Sequence, residues 1–280
     1  MRRTSNLLAL LLAGLALAQD QRPLPRGAPP DFVPTAPRVH VRASEELDPD
    51  RLRELARPGV TLWLSTRSNT LRDSTLENVA RFDVAWVRLR APLRPVDARV
   101  FAKLPHAGAW VTVATPCEGR CPELELAALL PGARRLAVEL SGALDERFVE
   151  RLARARPAEL GWTPPAELEL LTWGLLRSLP GRRVIHASPQ VLLPVRCAER
   201  RAGDPTLELH VASLLSLSSD VFPCGVGTRV IVEPNAEPWL LQSLLVRDPS
   251  VELVIDVGAD PARALAARAL LDRLQLGPSR

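Results

Sequence analysis

Glu139, Glu233, Asp256 and His210 are the residues of this chain whose types suit proton transfer, and each stands late in a stretch that reads as a β-strand. Arg88 occupies the corresponding place in another such stretch, and Trp63 and Trp86 lie one layer below. Carboxylates from different strands that meet at one end of a sheet can divide into acid and base, or acid and nucleophile, as sugar hydrolysis requires. The catalytic candidates are therefore Glu139, Glu233, Asp256 and His210, with Arg88, Trp63 and Trp86 as binding candidates. The same carboxylates with His210 have the chemistry to hold a hard or borderline cation, but no metal site is assigned. The plainer alternative is a structural network in which Arg88 balances the carboxylates, or a solvated face. Every one of these readings needs the strands to share a register.

The unit that would position these residues is clearest at Arg134–Ser141. Leu136, Val138 and Leu140 alternate with Ala137, Glu139 and Ser141, which puts the first three on one face of a strand. Gly142 breaks the chain and Asp145 is a suitable N-cap. Phe148, Val149, Leu152 and Ala155 then recur at helical spacing until Pro157. Strand face and helix stripe bury each other, and a strand–helix–strand unit of this length gives parallel strands.

Nine strand candidates recur at roughly even intervals: Val60–Thr66, Asp83–Arg90, Ala109–Thr115, Arg134–Ser141, Glu159–Thr163, Arg182–Ser188, Thr206–Ala212, Thr228–Asn235 and Val251–Gly258. Helical patterns fill Ser74–Arg81, Asp97–Lys103, Glu123–Leu130, Asp145–Arg154, Ala166–Leu179, Pro238–Val246 and Pro261–Leu274. Val39–Val41 reads as a short strand and Asp50–Ala56 as a short helix leading into the repeats. Such a period has two physical solutions, a barrel-like (TIM-type) closure or an open leucine-rich-repeat-like solenoid. No asparagine recurs at a fixed place after the strands, which counts against the solenoid.

Aligning the units on their helix-facing residues gives an inner layer of Trp63, Trp86, Thr112, Ala137, Gly161, Ile185, Glu208, Ile231 and Val254. Very large beside very small side chains is what a barrel interior needs. The fold class is therefore α/β, a barrel of repeated β/α units. A ring of eight strands would leave one of the nine outside, and the strand near Leu64 should lie beside Leu253–Val257. The next layer, Ser65, Arg88, Ala114, Glu139, Thr163, Ala187, His210, Glu233 and Asp256, holds the candidates named above. His186 falls on the helix-facing parity, as a core histidine, whereas His40 and His106 fall in loop-like sequence. Trp110, Trp162, Trp173 and Trp239 fit packing better than a sugar platform, and the chain has no tyrosine.

Arg2 and Arg3 precede the apolar run Leu7–Ala18, which ends in Ala16-Leu17-Ala18. This is the pattern of a secretory signal peptide, too short for a normal membrane span. The domain plan is then a signal peptide over 1–18, a proline-rich tether over 19–37 and one β/α-repeat domain over 38–280. Signal removal lowers the formal charge by two, from +4 to +2. With no clustered basic stripe, nucleic acid is not an expected partner. No transmembrane anchor is expected after cleavage, and the protein should be exported, periplasmic or extracellular. Cys117, Cys121, Cys197 and Cys224 are an even number in an exported chain, which predicts two disulfides, Cys117–Cys121 and Cys197–Cys224. A four-cysteine zinc site is disfavoured by the spacing.

No phosphate loop, GxSxG elbow or HExxH occurs. No cofactor is expected. The expected function is a secreted or periplasmic scaffold or binding protein without a catalytic motif, and the alternative is a barrel hydrolase with carboxylates at its strand C-termini.

Overall fold

A computed structural model describes residues 38–90, 94, 97, 101, 103–104, 106–115, 121–125, 135–142, 144–164, 169–186, 204–210, 227–237, 241 and 251–274. The signal and tether segments 1–37, the helical pattern at 238–246 apart from Leu241, and Cys117, Cys197 and Cys224 lie outside these residues.

The strands close into a barrel, so the open solenoid is excluded. In chain order they are β1 (Val39–Ser44), β2 (Val60–Ser65), β3 (Val84–Leu89), β4 (Ala107–Ala114), β5 (Leu136–Ser141), β6 (Glu159–Trp162), β7 (Arg182–His186), β8 (Thr206–His210), β9 (Thr228–Val232) and β10 (Glu252–Gly258). Each strand pairs in parallel with its sequence neighbours, and β1 pairs with β10 to complete the ring. The ring is ten-stranded, which corrects two expectations. None of the nine repeat strands lies outside. β2 does not touch β10, because β1 stands between them, with Val39 opposite both Leu253 and Val60. The short strand read at Val39–Val41 is thus the closing strand. Its alternation sends Val39, Val41 and Ala43 to the apolar shell and leaves His40 and Arg42 for the lumen.

Helices cover the outside: α1 (Pro49–Leu55), α2 (Asp73–Val79), α3 (Pro122–Glu125), α4 (Glu146–Ala155), α5 (Leu170–Ser178) and α6 (Pro261–Arg273). Three begin at an aspartate whose side chain accepts orphan backbone N–H groups: Asp48 at α1, Asp145 at α4 and Asp260 at α6. Pro49 and Pro261 sit in the first turns, where a missing N–H is harmless. Helix α4 ends at Arg156, which takes the left-handed conformation at φ 47° before Pro157. The main core lies between helices and the outer strand faces, with Leu62, Val87, Val111, Leu160, Ile185 and Ile255 all buried in it.

Eight strands leave a lumen just wide enough for side chains to fill, and ten leave more. Bulk fills the extra width. Trp63 and Trp86 are register partners and stack, with ring centres 5.4 Å apart. Trp110 meets Trp63 edge-on at 5.3 Å. Gly108, opposite Trp86, makes the space: a Cβ there would lie 2.5 Å from the Trp86 ring.

Strand stagger also changes which residues share a level. Thr112 pairs with Glu139 and not with Ala137, and Gly161 pairs with Glu139 and Val184. On β7 the inward residues are Arg182, Val184 and His186, while Ile185 joins the outer core. That reverses the parity read for this strand. Val184 and Ile185 are adjacent and both apolar, so alternation alone could not choose between them.

Candidate functional site

Below the tryptophans and beside them, the lumen is ionic. Four register neighbours alternate in charge around one side of the ring: His186 on β7, Glu208 on β8, Arg229 on β9 and Glu252 on β10. Opposite charges on directly facing strand positions attract across the short cross-strand distance. Arg229 is the hub. Its side chain is 2% exposed, and it donates from Nη1 and Nη2 to the two oxygens of Glu159 at 2.7 and 3.2 Å. Its Nε donates to Glu252 at 3.3 Å, and Nη1 also reaches Glu208 at 3.5 Å. Burial opposes its charge, but Glu159, Glu208 and Glu252 raise its pKa above the ordinary arginine range.

Glu252 accepts from Arg182 and from His40 Nε2, the latter at 2.9 Å. The Trp63 indole N–H points at His40 Nδ1, 3.2 Å away. An indole nitrogen only donates, so Nδ1 must be the bare acceptor and Nε2 carries the proton. Burial first, and the Arg229 charge second, lower the His40 pKa, consistent with a neutral ring. Burial alone would raise the Glu252 carboxyl, yet the His40 hydrogen bond and the Arg182 and Arg229 charges hold it well below the usual carboxylate range.

The upper half of the network opens toward the strand C-termini, where parallel β/α folds bind ligands. Glu208, 1% exposed, accepts from Arg42 Nη2 at 2.7 and 2.8 Å and meets His186 Nδ1 at 2.8 Å. On the other side of the imidazole, Nε2 stands 2.5 Å from Glu139, whose side chain is 27% exposed. Between two carboxylates both ring nitrogens are donors, so His186 is an imidazolium. Burial disfavours that charge, but Glu139 and Glu208 push its pKa up to about 9. Burial would raise Glu208; the His186 hydrogen bond, with the charges of Arg42, His186 and Arg229, holds it far below the usual range. Gly161 lies under this contact. Arg42, Trp63, Trp110, Glu139, His186 and Arg229 line a small cavity here, with room for about one water.

The candidates named from sequence separate in space. Glu139 is in the lumen, as are Trp63 and Trp86. Arg88 lies over Trp110 and donates to Thr112. Glu233, 59% exposed, pairs with Arg263 at 3.1 Å. Asp256 is exposed and accepts the Gly258 backbone N–H at 3.1 Å. His210 is exposed at the end of β8. None of these last three lines the cavity with Glu139. Among the described residues no group of three His, Cys, Asp or Glu is placed to hold a metal ion.

Sequence reading missed His40, Arg42, Glu159, Arg182, Arg229 and Glu252. The signal for three of them was present: Glu159, Arg229 and Glu252 stand two residues before Gly161, Ile231 and Val254, on the same inward parity. Arg182 was hidden by the parity error on β7.

It is a ten-stranded parallel β/α barrel. Its fold is similar to thiamine phosphate pyrophosphorylase from Pyrococcus furiosus, at 10% identity over 86% of this chain and 98% of that one, with a TM-score of 0.37. It is also similar to tryptophan synthase from M. tuberculosis in an open form with BRD0059 bound, at 12% identity over 87% and 95%, with a TM-score of 0.40. No family model matches the chain, and no curated protein matches it. Among the described residues no helix is long and apolar enough to cross a membrane.

Proposed function

We propose that this protein is an exported β/α-barrel binding protein, with a structural ionic lumen and a ligand-facing mouth at the strand C-termini. One observation carries the reading: each of the four lumen carboxylates among the described residues is already engaged by a cation or a histidine. Glu139 meets His186, Glu159 meets Arg229, Glu208 meets Arg42 and His186, and Glu252 meets Arg182 and His40. Hydrolysis by two carboxylates needs one kept protonated as the acid. Glu208 and Glu252 are pushed the opposite way. Export rests on the Arg2-Arg3 and Leu7–Ala18 pattern. The paired disulfides rest on the even cysteine count, and Cys121, the one cysteine among the described residues, is buried and not free.

A second reading, a barrel hydrolase, draws on a different observation. Buried Glu208 holds His186 through Nδ1, and the imidazolium presents its Nε2 proton beside the partly exposed Glu139, the arrangement of a held general acid. Turnover of aryl glycosides, aryl esters and aryl phosphates decides between the two. The binding reading expects rates equal to the buffer blank. Turnover that Glu139→Gln or His186→Gln abolishes, and Glu233→Gln does not, would sink it.

A further inference from the structure

Arg88 is a half-buried cation at the barrel mouth that the described residues leave without a carboxylate. Its Nη2 donates to Thr112 Oγ1 at 2.8 Å, and its guanidinium carbon lies 4.9 Å from the centre of the Trp110 ring. Among the described residues no carboxylate comes within ion-pair distance of it, and only Nη2 is engaged. Burial lowers its pKa, the neighbouring Arg90 adds to this, and Glu139 opposes it from further away. A second unmet donor lies beside it: the Trp110 indole N–H is buried and has no acceptor. Trp110 also lines the cavity that holds Glu139 and His186. A desolvated cation and a buried N–H without an acceptor each cost free energy, and groups of this kind ask for a partner that completes them.

We infer that the mouth takes a small molecule bearing a single carboxylate, whose oxygens accept from the open nitrogens of the Arg88 guanidinium. This rests on the binding-protein reading above and names the class of ligand. The guanidinium fork matches a planar carboxylate, and the Trp110 ring and Thr112 hydroxyl hold it in one orientation. The flat Trp110 ring beside the guanidinium suits a planar group better than a tetrahedral one, so a phosphate is the poorer ligand.

The test uses the full chain with benzoate, benzamide and inorganic phosphate at one ionic strength, which removes the general effect of salt. Melting temperature and tryptophan fluorescence are followed against concentration. Benzoate should raise the melting temperature saturably, benzamide should not, and phosphate should act less than benzoate. Arg88→Met should weaken benzoate about tenfold or more, as loss of a charged hydrogen bond does. Arg154→Met, on the exposed face of α4, should leave it unchanged. Equal responses to benzoate and benzamide overturn the proposal even if Arg88→Met does not fold. So does a benzoate response that survives in folded Arg88→Met, or a phosphate response that exceeds it. Silence toward all three probes overturns the carboxylate class alone, whereas the binding reading falls only to hydrolytic turnover.

Discussion

His186 Nε2 and a Glu139 carboxylate oxygen stand 2.5 Å apart across a gap that exists because residue 161 has no side chain. A Cβ on Gly161 would lie 2.5 Å from Glu139 Oε2 and 2.7 Å from His186 Nε2. Glycine here serves close approach.

Gly161→Ala should therefore destabilise the barrel by about 1–3 kcal/mol, the usual range for overpacking. In a domain of this size each kcal/mol moves the melting temperature by roughly 2–4 °C. Thermal unfolding should show a drop of several degrees, and Glu139→Ala in the same background should recover part of it. No drop would mean that Glu139 has another place to go.

His186 sets a pH limit on the alkaline side. Its folded pKa is raised from 6.5 to about 9, so its contribution is fully present below about pH 6.5 and is lost as pH rises through about 9. The shift corresponds to up to about 3 kcal/mol. Denaturant titrations at pH 6.5 and 9.5 should differ in that direction, and His186→Gln should flatten the difference. Glu208 and Glu252 act at the other end. Their pKa values are depressed, so their contribution is present above about pH 4.5 and lost as pH falls below it.

Arg229→Met should be the most damaging single change in the lumen. It strands Glu159 and removes one partner from both Glu208 and Glu252. Breaking a buried pair by removing one member costs on the order of 3–5 kcal/mol. Glu233→Gln, by contrast, removes an exposed pair with Arg263 and should change stability by less than about 1 kcal/mol. Chemical denaturation of the two variants side by side checks both values; similar losses would refute the assignment of the hub.

Export and disulfides make one joint prediction for protein taken from its native host. Intact mass should correspond to a chain beginning at Gln19, and a non-reducing peptide map should link Cys117 to Cys121 and Cys197 to Cys224. A retained Met1–Ala18 segment, or a link between the two pairs, contradicts the corresponding half.

Much of the barrel was legible in the amino-acid sequence because it depends on local pattern. Alternation in Leu136–Leu140 and helical spacing from Phe148 to Ala155 are properties of neighbouring residues, and they were enough for parallel β/α units; the mix of large and small inward residues pointed to a barrel. Inward parity followed from the same pattern on eight of the nine repeat strands and failed on β7, where Val184 and Ile185 are equally apolar. Closure was a different matter. Whether the ring holds eight strands or ten depends on Val39–Ser44 finding β10 and β2 at once, a contact between segments more than 200 residues apart. The site was decided the same way. Glu139, Glu233 and Asp256 looked equivalent as carboxylates late in their strands, yet stagger around the barrel brings only Glu139 to His186. Charge pairing in the lumen is set by register between strands, and no single strand contains that information.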